Sequence, residues 1–350
     1  MTDFSIPLSV PSLRGNEWSY IKKCLDSEWV SSAGKFVELF EENIASFTGV
    51  KYAVACMNGT SALQISLKLA GVMPGDEVIV PTLSFIAPIN AIAYNRANPI
   101  FMDSDEYFNI DAEKTIEFIK KETSYKNGFI FNKKSGRRIK ALVPVHIWGN
   151  ACQLEELSSI CNKYNVTIVE DASESLGTFY IKGKFSKKHT GTIGDLGCLS
   201  FNGNKIITSG GGGMILTNKK KLAEKALYYT TQAKDDSIRY IHNEIGYNFR
   251  LNNIQAALGL AQLEQLPNFL IKKRKIRNYY KKYLSAINGL SLAEIPNYAS
   301  NNCWLNILKI DFKNSDEKIS SIIRKFNKAN IQTRYVWKLN HLQKPYIISQ

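Results

Sequence analysis

The sequence predicts an α/β protein: a mostly parallel sheet with helices on both faces, followed by a smaller α+β unit. Two observations carry this. From Tyr52 to Phe201 short apolar runs alternate with helical patterns, the arrangement that places crossover helices between parallel strands. Beyond Ile287 the pattern changes to short strands and one helix. A chain of 350 residues is long enough for one large domain and a small one. We divide it into an N-terminal segment and large domain over 1–285 and a small C-terminal domain over 286–350.

Taken in order, Tyr52 to Cys56 reads as the first strand. Ala62 to Ala70 follows as a helix, with Leu63, Leu67 and Leu69 among its apolar positions. Met73-Pro74-Gly75-Asp76 is a turn before the strand Glu77 to Val80. Further strands are expected at Pro99 to Met102, Lys140 to Val145, Val166 to Val169 and Gly197 to Phe201. The polar, basic stretch Lys126 to Arg138 reads as a surface loop. Leu251 to Leu266 and Ile271 to Leu284 read as two long helices broken near Pro267. The last helix spans Asp316 to Asn327.

Composition narrows the function classes. Hydrophobic residues make up 44%, enough for a globular core. No run of about 18 apolar residues occurs, so no membrane span is expected. The start, Met1-Thr2-Asp3-Phe4-Ser5, lacks the basic and apolar regions of a signal peptide. The six cysteines lack C-x-x-C spacing and sit mostly in apolar contexts. Buried free thiols in a reducing cytoplasm are expected, rather than disulfides or a metal site. The net charge of +14 is spread along the chain, and no recognition helix, zinc module or aromatic platform for nucleic acid accompanies it. A small polyanion such as a nucleotide diphosphate suits the charge.

Three segments carry candidate chemistry. Lys205 lies between the apolar runs Leu196 to Phe201 and Met214 to Thr217, close to the glycines Gly210 to Gly213. A lysine amine forms a Schiff base with an aldehyde such as pyridoxal 5'-phosphate when held close and partly deprotonated. Asp171 ends the strand Val166 to Val169, where α/β sheets bind ligands. A carboxylate there could keep the cofactor's pyridine nitrogen protonated, although an isolated Asp of this kind is also a common helix cap. Met57-Asn58-Gly59-Thr60-Ser61 joins a strand to a helix. Free amides, hydroxyls and the positive helix end there suit a phosphate, although taken alone a plain Ser/Thr helix cap is the more common explanation.

These pieces, together with further motifs, resemble the DegT/StrS family of pyridoxal-phosphate-dependent sugar aminotransferases. The matching stretches are Asn58 to Leu63, Pro81 to Phe85, Val143 to His146, Glu170 to Ala172, Ser200 to Lys205 and Gly246 to Leu251. The resemblance runs from about residue 30 to residue 345. It implies the pyridoxal-phosphate-dependent transferase fold of the aspartate aminotransferase type (fold type I). Phe201-Asn202-Gly203-Asn204-Lys205 and Gln232 to Asp236 are most similar to the LegC-type branch. That branch aminates C4 of UDP-linked 4-keto-6-deoxy-N-acetylhexosamines for surface-glycan biosynthesis.

The resemblance implies roles for single residues. Lys205 carries the cofactor and moves the proton, with L-glutamate as amino donor in a ping-pong sequence. Asp171 meets the pyridine nitrogen. Gly59, Thr60, Ser61 and Ser200 hold the phosphate, and Phe85 lies against the ring. Glu174 stands by the phenolic oxygen, where the family often has Gln or His. Asn248 reaches the neighbouring subunit's phosphate, which implies a homodimer with composite sites, and Arg250 anchors the same loop. His146, Trp148, Arg334, Trp337 and His341 are candidates for the nucleotide sugar. Relatives continue beyond His341 to Tyr346, so the small domain is expected to be incomplete at Gln350. A same-fold enzyme acting at sugar C3, or a non-catalytic regulator, is the rival reading. Lys205 stands against the dehydratase form, which has histidine there.

Overall fold

The computed structural model of the chain describes residues 5–311 and 315–347. Met1 to Phe4 and Gln350, on which the expectations about a leader and a shortened small domain bear, lie outside the described residues. Helices α1 (Glu17–Asp26) and α2 (Lys35–Thr48) precede β1 (Tyr52–Cys56) and α3 (Gly59–Leu69). Then come β2 (Glu77–Pro81), α4 (Ala87–Tyr94), β3 (Asn98–Met102) and α5 (Ala112–Lys121). The hairpin β4 (Thr123–Lys126) and β5 (Phe129–Asn132) leads to β6 (Arg138–Leu142), α6 (Leu154–Lys163) and β7 (Thr167–Asp171). β8 (Phe179–Tyr180), β9 (Leu196–Ser200), β10 (Gly213–Thr217), α7 (Lys220–Thr230) and α8 (Asn253–Leu284) follow. Beyond α8 lie β11 (Leu290–Leu292), β12 (Ala299–Ser300), β13 (Leu308–Ile310) and α9 (Ser315–Lys328).

Among the described residues the main sheet has nine strands, with the order β1-β10-β9-β7-β6-β2-β3 and the β4–β5 hairpin attached to β6. β9, β7, β6, β2 and β3 are mutually parallel. β10 is antiparallel to both β1 and β9, so β1 runs in the same direction as β9. The carboxyl ends of β1, β2, β7 and β9 therefore share one edge. β10 is buried throughout and its side chains alternate between faces: Ile215 packs on the face covered by α3, α4 and α7, and Met214 and Leu216 on the face covered by α2 and α8.

Two expectations are corrected. Lys126 to Arg138 is not a loop: Asn127 and Gly128, both with positive φ (52° and 82°), form the two-residue turn of a hairpin. Ile130 of that hairpin is fully buried. Nor does Pro267 break α8, which runs unbroken through it. The proline removes one helical hydrogen bond, but Leu263, Leu266 and Leu270 keep a single buried face on both sides of it. That face packs on Phe40 and Ile44 of α2.

The six cysteines are free and buried. Among the described residues no helix is long and apolar enough to cross a membrane. β11 and β13 pair with each other, whereas β12 pairs with β8 beside the main sheet. The N-terminal segment crosses to the same region, with Ile6 bridged to Ile331.

Candidate active site

The shared carboxyl edge of the sheet opens into a cavity of about 620 Å³. β7 delivers Asp171 to it. The β-branched run Val166 to Val169 makes a central strand buried from Ile168 onward, and Asp171 at its end is 5% exposed. The Ser173 amide donates to the carboxylate at 3.0 Å. Burial holds this carboxyl above its ordinary range, and the Ser173 hydrogen bonds and the nearby Lys205 pull it partly back. A buried carboxyl of this kind suits a cationic partner such as a pyridinium.

The turn after β1 opens α3 three residues earlier than the apolar pattern indicated. Asn58, not a hydroxyl residue, is the cap, accepting from the Ser61 amide at 2.8 Å. Gly59 and Thr60 thus fall in the first helical turn, whose amides have no partner within the helix, and both line the cavity. A side chain at position 59 would bring its Cβ to 2.9 Å from Ser200 Cβ, so glycine is what lets the helix start lie against the end of β9. Ser61 is buried and does not line the cavity.

β9 ends at Ser200, also at the cavity. A turn closed by the Lys205 amide on the Asn202 carbonyl (3.0 Å) then brings Lys205 in. Gly212, at φ 149°, returns the chain to β10, and a Cβ there would collide with Ser209. Lys205 Nζ lies 3.3 Å from Glu174 Oε1. Glu174 in turn accepts from the Trp148 amide at 2.8 Å. That amide is aimed by an uncommon backbone: Trp148 sits in the left-handed region at φ 52°. Burial pushes the Glu174 carboxyl up, and Lys205 draws it down. Glu174 therefore points into the cavity, at the lysine.

Phe85, on the loop after β2, is 52% exposed because it faces the cavity. Its ring meets Trp337 edge-on (5.9 Å), and Trp337 meets Trp148 (5.8 Å). Arg334 stands at the same cavity. The structure thus gathers Gly59, Thr60, Phe85, Trp148, Asp171, Glu174, Ser200, Lys205, Arg334 and Trp337 around one space.

Two sugar candidates are corrected. His146 is fully buried. Its Nδ1 accepts from the Cys152 amide at 3.0 Å, which leaves Nε2 to donate to Glu170 at 2.8 Å, so it braces the core behind the site. His341 bonds Thr82 and lines a separate groove with Phe101 and Arg137. Asn248 is exposed and lies outside its own chain's cavity. Its segment is fixed by the Met57 amide on the Phe249 carbonyl (2.8 Å) and by a fork from Arg250 to Glu41. The sequence patterns did not single out Ser9, Ser173, Trp304, Asn306 or Gln332, all of which line the cavity.

A buried acid, a lysine and an amide-rich helix start at one sheet edge fit pyridoxal phosphate, and they define an α/β aminotransferase of the pyridoxal-phosphate-dependent class. The chain belongs to the DegT/DnrJ/EryC1/StrS aminotransferase family, whose profile matches residues 11–349. It is 36% identical to the GDP-perosamine synthase of Caulobacter vibrioides over 97% of this chain and 86% of that protein. It is 40% identical to the GDP-perosamine synthase of Escherichia coli O157:H7 over 81% of this chain and 72% of that one. The crystal structure of the aminotransferase TlmJ from Streptoalloteichus hindustanus matches with a TM-score of 0.85 at 27% identity, covering 97% and 87% of the two chains. The chain is a sugar aminotransferase with pyridoxal phosphate as cofactor.

Proposed function

We propose that this enzyme moves an amino group from L-glutamate to C4 of a nucleotide-linked 4-keto-6-deoxyhexose, with Lys205 as the catalytic residue. The observation that carries the reading is the meeting of Lys205, Asp171 and the α3 start in one cavity. When bound, pyridoxal phosphate supplies an electron sink that makes the α-proton of an amino donor removable. The chain's own residues do the rest. Asp171 offers a buried carboxylate to the ring nitrogen. Thr60, Ser200 and the first-turn amides of α3 bind the phosphate. Lys205 Nζ takes and returns the proton. Glu174, fixed by the Trp148 amide, holds Lys205 Nζ on the cavity side. Phe85, Trp148 and Trp337 form an apolar wall that excludes water, and Arg334 offers a cation to the diphosphate.

Two features bear on the nucleotide. The resemblance of Phe201 to Lys205 and Gln232 to Asp236 to the LegC-type branch implies a UDP-linked N-acetylhexosamine. Relatives at 36% and 40% identity are named GDP-perosamine synthases, which favours a GDP-linked sugar, and this is the form we carry forward. The assay is incubation with pyridoxal phosphate, glutamate, and GDP- and UDP-linked 4-keto-6-deoxy sugars, with products identified by mass and NMR. The expected result is an amine at C4 of the GDP-linked sugar and one 2-oxoglutarate released per amine. An amine at C3, or none on any sugar while glutamate is still deaminated, would refute the C4 reading. Amination of the UDP sugar alone would refute the GDP form.

A further inference from the structure

The turn Asn301-Asn302-Cys303-Trp304 belongs to none of the recognised motifs, yet it holds both groups that meet at the lysine. Trp304 is 3% exposed. Its indole face lies under Lys205, with Nζ 4.2 Å from the ring centroid. Its Nε1–H donates to the carbonyl of Asn204, the residue before Lys205, at 2.7 Å. The indole is fixed from behind: its amide donates to Asn302 Oδ1 at 3.0 Å, and Lys273 donates to its carbonyl at 3.1 Å. Cys303 adopts a left-handed conformation (φ 54°) to make the turn. Asn302, fully buried, reaches the other way and donates to the carbonyls of Glu174 (2.8 Å) and Leu176 (3.0 Å). One rigid turn thus sets the positions of Glu174 and Lys205 relative to each other.

We infer that Trp304 is a positioning residue for catalysis: its indole face seats the free Lys205 side chain when that lysine is not bound to the cofactor, and stabilises the ammonium it becomes on taking the proton. A lysine side chain is rich in rotamers, so a free amine on a four-carbon stem spends little time at one point. Glu174 could hold it too, but a carboxylate can also take its proton. An aromatic face attracts the cation and accepts no proton. The indole therefore keeps Nζ localised between taking the proton and returning it, and able to swing back. The inference rests on Lys205 being the cofactor lysine, which peptide mapping tests separately.

The experiment compares Trp304→Phe, which keeps a ring face and loses the Nε1–H bond, with Trp304→Leu, which loses both. For each variant, kcat and both KM values are measured, together with the stopped-flow rate at which apoenzyme captures pyridoxal phosphate covalently. Trp304→Phe is expected to stay within about threefold of the parent in kcat and capture rate, since Phe retains a weaker cation–π face. Trp304→Leu is expected to lose about tenfold or more in both, with each KM within about twofold, because localisation of the amine rather than substrate binding is lost. Unchanged kcat and capture in Trp304→Leu would overturn the inference, as would Trp304→Phe falling as far as Trp304→Leu. Should Trp304→Leu fail to fold, the parent apoenzyme with 13C-labelled lysine decides. A lysine ε-methylene signal shifted upfield by the ring and lost in Lys205→Ala supports the seat; no such signal overturns it.

Discussion

Asp171 and Glu174 are carboxyls taken out of water at the same cavity, and burial raises both. For a carboxyl raised on folding, the folded chain keeps a proton that the unfolded chain has released. The stability this confers is present below the unfolded value, about 3.9 for Asp, and is lost as pH rises through the folded value. Asp171→Asn removes the ionisable group while keeping an oxygen for the Ser173 amide. The apoenzyme of this variant should therefore melt above the parent at pH 8, by about 1–2 °C for each kcal/mol recovered. The gain should shrink towards acid pH. With pyridoxal phosphate the same variant should still bind cofactor but turn over several orders of magnitude more slowly, because a neutral amide does not hold the ring proton. Melting curves from about pH 4 to 8 and steady-state rates check this; a gain that does not shrink as pH falls to the unfolded value, or near-normal turnover, would contradict it. Most residues of this kind were legible because they sit in short runs whose chemistry is local: Asn58 to Ser61, Glu170 to Ala172, Ser200 to Lys205. Trp304 and Gln332 were not, since they reach the cavity through long-range packing. His146 was misread because a histidine after a strand looks the same whether its ring turns to the cavity or to Glu170.

At the scale of elements, the close approach of α2 and α8 depends on Gly259. A Cβ there would lie 2.7 Å from the Phe40 ring. Phe40 is fully buried and packed on Phe201, with ring centroids 4.9 Å apart, so it has no room to yield. Gly259→Ala should gain about 1 kcal/mol of helix propensity and lose about 1–3 kcal/mol to overpacking. Net destabilisation is expected in a denaturant melt, and Phe40→Leu in the same chain should cost less than it does alone. A more stable Gly259→Ala protein would contradict this packing account. The strands of the parallel sheet were legible because they are apolar and separated by turns. The β4–β5 hairpin was not, since its basic, exposed face masked the Asn127-Gly128 turn and the buried Ile130. The continuity of α8 was not legible either, because burial on both sides of Pro267 is a property of the packed molecule.

At the scale of the whole molecule, Asn248 stands exposed beside the α3 start and outside its own cavity, on a segment pinned by Met57 and Glu41. We propose that it completes the phosphate site of a second copy of the chain in a two-fold dimer. Inactive Lys205→Ala protein mixed with an impaired Asn248→Ala variant should regain activity after subunit exchange, because one of the two sites then carries neither defect. Light scattering should give the mass of at least a dimer. A fully active monomer, or no recovery on exchange, would contradict composite sites.

The central claim is that Lys205, facing Asp171 across the cavity, holds the cofactor covalently. Borohydride reduction of the holoenzyme, followed by proteolysis and mass spectrometry, tests it most directly. A pyridoxyl group on the peptide containing Lys205, absent from Lys205→Ala, is the result expected. A pyridoxyl group fixed to any other lysine in the parent protein would contradict it.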